Sequence, residues 1–212
     1  MRSFDKILVL SPHADDGEVG AGATIARFIE EDKEVHYVTF SSCELSVPNG
    51  FPKDILKKEC KKATKILGIF QENLYMLDYE VRKFPTFRQE ILEDIVQLNK
   101  KIRPDLVLTP SSNDTHQDHQ TIFKETLRTF KKTSSIWGYE HPWNNFTFTT
   151  DVFVKLEEKH IQKKINALKQ YKSQEFRTYF DERYIKALGF TRGTQVNFNY
   201  AECFELLRML MK

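Results

Sequence analysis

The chain has 212 residues, a length that predicts one domain spanning 1–212 rather than two. Its 32 basic and 30 acidic side chains leave a net charge of only +2, so no bulk field favours a nucleic-acid partner or an anionic membrane surface. No apolar run approaches the roughly 18 residues of a membrane span, no signal-peptide pattern is present, and the three cysteines form no CxxC pair. These features predict a cytoplasmic protein with reduced thiols and no membrane insertion.

Strand-like and helix-like stretches alternate along most of the chain. In chain order, the hydrophobic patterns predict strand 6–10, helix 21–29, strand 35–40, helix 55–67, strand 73–77, helix 91–102, strand 105–109 and helix 122–130. After Ile136 the order is less regular, with strand 151–156, helices 157–171 and 181–188, and a stretch at 201–207 interpreted as a strand. Repeated strand–helix–strand units predict a single-domain Rossmann-like three-layer α/β sandwich with a mostly parallel central sheet.

Two polar loops each follow a predicted strand. The first is Ser-Pro-His-Ala-Asp-Asp-Gly-Glu at 11–18, and the second is Pro-Ser-Ser-Asn-Asp-Thr-His-Gln-Asp-His at 110–119. Because the carboxyl ends of parallel strands face one crevice, both loops are expected to meet at the usual ligand position of such a sheet. Three histidines and four aspartates would converge there, which favours a catalytic metal site over two ordinary helix-capping turns.

His13, Asp16 and His119 are the predicted ligands of one divalent ion per chain. His13 and Asp16 are three residues apart and can chelate from a single turn, with His119 completing the set from the second loop. Two imidazoles and a carboxylate leave a position open for water, as in catalytic zinc sites. Nitrogen and oxygen ligands suit zinc, but iron or nickel stays an alternative.

The remaining polar residues of the loops can be assigned chemical roles. Asp15 is the candidate for taking a proton from the attacking water. His116 is expected to stabilise a developing oxyanion, with Asp118 as the carboxylate that orients it and keeps it charged. His141 is a further candidate for contact with the substrate, since it precedes a Pro-Trp pair that could reach the cleft.

Both loops resemble signatures of the LmbE-like (PIG-L) family of zinc-dependent N-acetylglucosaminyl deacetylases. The first is similar to Pro-His-(Pro/Ala)-Asp-Asp-x-Glu and the second to His-x-Asp-His, and weaker similarities extend over nearly the whole chain, around Glu59 and in 138–144, 164–174 and 200–204. The resemblance implies zinc on His13, Asp16 and His119, Asp15 as general base and His116 as electrostatic partner. These are the same five positions that the residue chemistry selects.

Two positions depart from the family pattern. Leu56 stands where the family often has an arginine that helps to bind the sugar, and Arg82 or Arg88 is the candidate replacement. Asp114 stands where some members carry a tyrosine, so no tyrosine contribution is expected there and Asp114 remains a candidate substrate contact.

These residues together predict a metal-dependent hydrolase that removes the N-acetyl group from an N-acetylated amino sugar. The expected partner is a small N-acetylated sugar or sugar conjugate, and the aglycone and any homo-oligomer stay open. A metal-dependent phosphoesterase is a second class, which the lack of a recognisable phosphate-binding arginine pair or glycine cradle disfavours. A non-catalytic glycan- or nucleotide-binding module is a third, although a binder needs no base beside its metal.

Overall fold

The computed structural model describes residues 4–211, which build a seven-stranded sheet covered by helices on both faces. The order across the sheet is β3-β2-β1-β4-β5-β7-β6. The first five strands run parallel, and β7 pairs antiparallel with both β5 and β6. The strands are β1 (Lys6–His13), β2 (Glu34–Ser41), β3 (Leu74–Met76), β4 (Leu106–Pro110), β5 (Ser135–Tyr139), β6 (Val152–Leu156) and β7 (Tyr200–Arg208). The predicted mostly parallel α/β sandwich is confirmed.

Side-chain alternation along β1 divides the interior into two cores. Ile7 and Val9 belong to the core formed with α1, α2 and α5, whereas Leu8 and Leu10 belong to the core formed with α3 and α4. This alternation follows from the two-residue period of a strand that is buried on both faces. The helices are α1 (Asp16–Glu30), α2 (Ile55–Leu67), α3 (Arg88–Ile102), α4 (Gln117–Phe130), α5 (Glu158–Leu168) and α6 (Glu182–Thr194). Within the described residues, none of these helices has the length and apolar character needed to cross a membrane.

Several elements differ from the sequence-based expectation or refine it; α4, for example, begins five residues before its predicted start and α6 ends six residues after its predicted end. The stretch at 201–207 is confirmed as a strand, and β5 (Ser135–Tyr139) is a central strand that the hydrophobic pattern did not indicate. All five residues of β5 are buried, so it has no polar face to produce an alternating signal. Helix α1 begins at Asp16, five positions before the predicted start, because its glycine-rich first turns carry little helical signal.

The strand order creates a crevice between β1 and β4. From β1 the chain moves outward through β2 and β3, and then it returns to β4 on the other side of β1. Open α/β sheets bind their ligands at such a switch point, outside the carboxyl ends of the strands. Both polar loops follow these two strands, so the topology brings them together.

Candidate metal centre and active site

Three ligand-type atoms meet at the carboxyl ends of β1 and β4. His13 is the last residue of β1, Asp16 the first of α1, and His119 lies in the first turn of α4. Asp16 Oδ2 lies 2.9 Å from His13 Nδ1 and 3.1 Å from His119 Nε2, and the two nitrogens are 3.2 Å apart. Ligands bound at about 2.0–2.2 Å around a tetrahedral ion would be about 3.3 Å apart, so this triangle has the dimensions of a metal site.

The outward-facing nitrogen of each histidine is held by a carboxylate. His119 Nδ1 lies 2.7 Å from Asp114 Oδ2, and His13 Nε2 lies 3.0 Å from Asp118 Oδ2. A carboxylate behind a metal-binding histidine fixes the ring orientation and increases the basicity of the nitrogen that faces the metal. The donor set and its supporting carboxylates therefore fit a divalent ion.

Two further histidines border the triangle. Ligating atoms of His13, His116 and His119 lie within 4.8 Å of one another, as do those of Asp16, His119 and His141. His141 is fully buried, and its Nε2 lies 3.1 Å from the backbone oxygen of Asp16, which it can reach as a hydrogen-bond donor. We therefore find His141 packed behind Asp16 rather than facing the cleft.

Electrostatics in the metal-free site favour protons on the two candidate ligand histidines. Burial alone would lower the pKa of His13, but the carboxylates of Asp16 and Asp118 outweigh it and raise that pKa to about 10. In the same way, Asp16 and Asp114 overcome burial and raise the pKa of His119 to about 9. Two positive charges beside Asp16 hold the pKa of its carboxyl well below the usual range, despite its burial. A concentration of negative charge that binds protons this strongly also attracts a dication.

Asp15 offers a carboxylate with no side-chain partner among the described residues. It lies half-buried at the N-cap of α1 and lines the cleft, but its side chain does not cap the helix. Burial and the neighbouring Asp16 charge raise the pKa of Asp15 to about 6, against the lowering effect of His13 and Arg177. A carboxylate with these properties can accept a proton in the cleft.

The structure corrects the expected pairing of His116 with Asp118. His116 is the N-cap of α4, and its Nδ1 accepts a hydrogen bond from the backbone N–H of Asp118 at 3.1 Å. The Asp118 carboxylate points away and binds His13 together with the backbone N–H groups of Arg82 and Phe84. Burial and the charges of His13 and His119 lower the pKa of His116 to about 4. His116 is thus a neutral ring whose Nε2–H is the available donor, rather than a charged acid maintained by Asp118.

A buried network braces the first loop from behind. The Glu18 carboxyl group lies within hydrogen-bonding distance of the hydroxyls of Tyr37 and Tyr171, and the Tyr171 hydroxyl donates to the backbone oxygen of Ala14. Burial raises the pKa of Glu18 to about 8. A Cβ on Gly17 would lie 2.6 Å from the Tyr37 hydroxyl oxygen, so only glycine lets the loop lie against this network.

The site opens into a cleft of about 490 Å³, a size typical of small-molecule sites. Trp143 and Tyr179 form one part of its wall, with stacked rings whose centroids are 3.9 Å apart. Leu56 and Arg177 also line the cleft. Sequence reasoning missed Tyr179 and Arg177, because no motif marks the short 3₁₀ segments that follow α5.

Of the predicted substrate contacts, Arg82 lines the cleft, whereas Arg88, Asp114 and His141 do not. Arg82 lines the cleft, whereas Arg88 lies in α3, outside the cleft lining, and pairs with the buried carboxylate of Glu125. Asp114 is buried behind His119, which it orients, and does not line the cleft.

Comparisons with known proteins find a matching family model and similar proteins. The family model described as PIG-L: GlcNAc-PI de-N-acetylase matches residues 8–130, more than half of the chain. The chain is 28% identical over 172 residues to the uncharacterized deacetylase YaiS of Escherichia coli (strain K12), covering 79% of this chain and 90% of the relative. It is 24% identical over 227 residues to the diacetylchitobiose deacetylase of Thermococcus kodakarensis, covering 93% and 81%. The structure of N,N'-diacetylchitobiose deacetylase from Pyrococcus horikoshii matches with a TM-score of 0.81 at 21% identity, over 97% of this chain and 84% of that one.

Proposed function

Because the chain belongs to the PIG-L family of GlcNAc-PI de-N-acetylases, we propose that it is a metal-dependent hydrolase that deacetylates an N-acetylated amino sugar. The observation that carries this proposal is the triangle of His13, Asp16 and His119 beside the Asp15 carboxylate, which has no side-chain partner within residues 4–211. Hydrolysis of an amide requires a polarised carbonyl, an activated water and a proton for the departing amine.

A divalent ion, with zinc the best match to two imidazoles and a carboxylate, supplies Lewis acidity when bound to this triangle. Asp15 takes a proton from the attacking water as the new C–O bond forms. His116 donates its Nε2–H to the negative charge that develops on the carbonyl oxygen. As the C–N bond breaks, the proton held by Asp15 passes to the amine, which leaves acetate and a free amino sugar.

The wall of the cleft supports a sugar as the substrate. Tyr179 and the exposed part of Trp143 line the same cleft as His13, Asp16 and His119, and the apolar face of a pyranose ring packs well against aromatic side chains. The relatives from Thermococcus and Pyrococcus are named for their action on diacetylchitobiose, an N-acetylated sugar.

The proposal is tested by acetate release. Protein stripped with a chelator and reconstituted with zinc, iron or cobalt is assayed for acetate and free amine on N-acetylglucosamine and diacetylchitobiose. We expect activity only after reconstitution, with about one ion per chain. Asp15→Asn is expected to keep the ion and to lower kcat by at least about 10²-fold, the scale of a lost general base. Asp32→Asn, in the exposed turn after α1, is the matched control.

Two results would contradict the proposal. One is a metal-replete wild type that releases no acetate from any N-acetylated sugar. The other is an Asp15→Asn variant that retains the ion and full activity. Loss of the ion in Asp15→Asn would instead make Asp15 a ligand and exchange the roles of the two neighbouring aspartates.

A further inference from the structure

A column of three stacked rings leads from the proposed metal triangle to the wall of the cleft. The buried ring of His141 lies 5.3 Å from that of His119, between centroids, and its Nε2 lies 3.1 Å from the backbone oxygen of Asp16. Trp143 stacks on His141 at 5.0 Å, with 19° between the ring planes. Tyr179 stacks on Trp143 at 3.9 Å, with 10° between the planes. The column therefore fixes Tyr179 in the wall of the cleft that contains the triangle.

The segment that carries Tyr179 is held by a chain of hydrogen bonds that begins on α2. The buried carboxylate of Glu59 accepts from the backbone N–H of Ser173 at 3.0 Å and from its hydroxyl at 2.6 Å. The Gln174 amide donates to the Ser173 hydroxyl at 3.2 Å, and Arg177 Nε donates to Gln174 Oε1 at 2.7 Å. Ser173 and Gln174 are both buried. Tyr179, two residues after Arg177, is therefore positioned before a substrate arrives.

The Tyr179 hydroxyl is available as a hydrogen-bond donor. It has no acceptor within residues 4–211. Four other tyrosine hydroxyls do find acceptors: Tyr37, Tyr79, Tyr139 and Tyr171. Burial and the charges of Asp15 and Asp16 raise the pKa of Tyr179 well above its usual range, against the lowering effect of Arg177. The hydroxyl therefore keeps its proton and can offer it to a group of the substrate.

The charges around Tyr179 suit a group that acts at the reaction site. Asp15, the proposed base, is close enough for its charge to act on the pKa of Tyr179, and both residues line the cleft. The guanidinium carbon of Arg177 lies 5.7 Å from the centroid of the Tyr179 ring and adds a positive charge there. A hydrogen-bond donor beside a positive charge stabilises negative charge, which hydrolysis of an amide creates on the carbonyl oxygen.

We propose that Tyr179 is a catalytic residue whose O–H donates a hydrogen bond to the negative charge that develops on the carbonyl oxygen of the substrate. His116 supplies its donor from the N-cap of α4, and Tyr179 supplies a second donor from the segment between α5 and α6. Both hydrogen bonds strengthen as the charge appears, whereas the neutral amide of the ground state gains less from them. This inference rests on the proposed function and adds a catalytic residue to it.

The test compares Tyr179→Phe with the wild type, both reconstituted with zinc, on N-acetylglucosamine and diacetylchitobiose. Phenylalanine keeps the ring that stacks on Trp143 and removes only the hydroxyl. We expect kcat to fall about 10- to 100-fold while KM changes less than about twofold, as for a lost hydrogen bond to a charge that appears only in the transition state. Unchanged kcat at full zinc occupancy would overturn the inference. A loss confined to KM would also overturn it, because the hydroxyl would then serve ground-state binding of the sugar.

Tyr184→Phe is the matched control, since it removes the same single oxygen from a neighbouring tyrosine. The Tyr184 ring lies 6.4 Å from that of Trp143, and its hydroxyl is buried without a partner among the described residues. Tyr184 lines a separate small cavity rather than the cleft. Its variant should therefore match the wild type in kcat and KM, with melting temperature and zinc content measured for both variants. A loss in Tyr184→Phe equal to that in Tyr179→Phe would assign the effect to packing around Trp143 and overturn the inference.

A binding measurement separates this inference from the proposed function. The methylphosphonamidate of glucosamine carries a tetrahedral, negatively charged centre in place of the reacting carbonyl, and calorimetry compares its binding with that of glucosamine to the zinc-loaded proteins. Tyr179→Phe should bind the phosphonamidate about 10- to 100-fold more weakly than the wild type and glucosamine equally well. Equal affinity of both proteins for the phosphonamidate would overturn the inference and leave the deacetylase proposal intact. A zinc-loaded wild type that releases no acetate would instead contradict the proposed function, and the inference with it.

Discussion

At the scale of single residues, each histidine of the proposed metal site has a different carboxylate behind it. His119 is supported by Asp114, five residues earlier in the same loop, whereas His13 is supported by Asp118, which is 105 residues away in the chain. Proximity in the sequence suggested that Asp118 serves His116. The backbone N–H of Asp118 does reach His116, but its carboxylate turns towards β1.

The variant Asp114→Asn tests whether the Asp114 carboxylate supports His119. The amide has the shape of the carboxylate but lacks its charge, so His119 loses basicity and its ring orientation is less firmly held. We expect the affinity for the divalent ion to fall by about 10- to 100-fold, the usual effect of changing such a partner. The dissociation constant is measured by competition with a chelator, and Asp32→Asn should leave it unchanged. An unaltered affinity in Asp114→Asn would show that His119 needs no carboxylate.

The variant His116→Asn tests whether the neutral ring of His116 acts as a hydrogen-bond donor to the developing oxyanion. Asparagine is a good N-cap, so the start of α4 is preserved while the imidazole is removed. We expect kcat to fall by roughly 10²- to 10³-fold, as for loss of one oxyanion donor, with little change in KM. Steady-state kinetics with metal content checked in both proteins decide the outcome. Unchanged kcat at full metal occupancy would remove His116 from the mechanism.

Metal affinity should depend on pH through the ligand histidines. The neighbouring carboxylates raise the pKa of His13 to about 10 and that of His119 to about 9 in the metal-free protein. Protons therefore compete with the ion throughout the neutral range, and affinity should increase as pH rises towards these values, by up to about tenfold per pH unit for each protonated imidazole. Dissociation constants at pH 6, 7 and 8, corrected for protonation of the competing chelator, measure the slope. A constant affinity over this range would mean that the imidazoles are already neutral in the free protein.

At the scale of elements, α1 must approach the sheet closely enough to bring Asp16 to the end of β1. Gly20 permits this approach, because a Cβ there would lie 2.5 Å from Cδ2 of Tyr139. Tyr139 is 1% exposed, and its hydroxyl donates to the backbone oxygen of Leu10 at 2.8 Å, so its ring cannot move aside. Gly17 and Gly20 of this helix therefore both serve close packing of the helix against the sheet.

Gly20→Ala should therefore destabilise the protein. Overpacking costs up to about 3 kcal/mol and the better helix propensity of alanine returns about 1 kcal/mol, so the net loss is roughly 2 kcal/mol. Urea denaturation of the metal-free protein measures the change. Gly22→Ala is the matched control, with its closest neighbour, Lys164 Cγ, at 3.0 Å on a longer side chain, and it should cost less. A Gly20→Ala variant as stable as the wild type would contradict the packing argument.

At the scale of the whole molecule, the ligand triangle joins the two halves of the sheet. His13 and Asp16 belong to the unit built on β1, and His119 belongs to the unit that follows β4. An ion bound across them stabilises only the folded state, because the unfolded chain does not assemble the site.

Zinc should therefore raise the melting temperature. At a free concentration of about 100 times Kd the stabilisation is about 2.7 kcal/mol, which corresponds to roughly 5–10 °C for a chain of this length. Differential scanning calorimetry with zinc, and again with an added chelator, measures the shift. His119→Ala should show no zinc-dependent shift, and a shift as large as that of the wild type would reject His119 as a ligand.

The sequence by itself determined where chemistry could occur. Hydrophobic runs located most strands, the order of strands and helices indicated a parallel sheet, and two polar loops at strand ends carried the whole candidate ligand set. These are local signals, since each depends on residues within a few positions of one another. The parallel sheet then required the two loops to meet.

Only the tertiary structure decided what surrounds His13, Asp16 and His119. The pairing of Asp118 with His13, the burial of β5 and the chain of contacts from Glu59 to Arg177 all join residues far apart in the sequence. Such contacts leave no periodicity or motif, because the geometry of a hydrogen bond depends on the backbones that position its donor and acceptor. For this reason the proximity of His13, Asp16 and His119 could be predicted from the sequence, whereas the carboxylates behind the two histidines and the wall of the cleft could not.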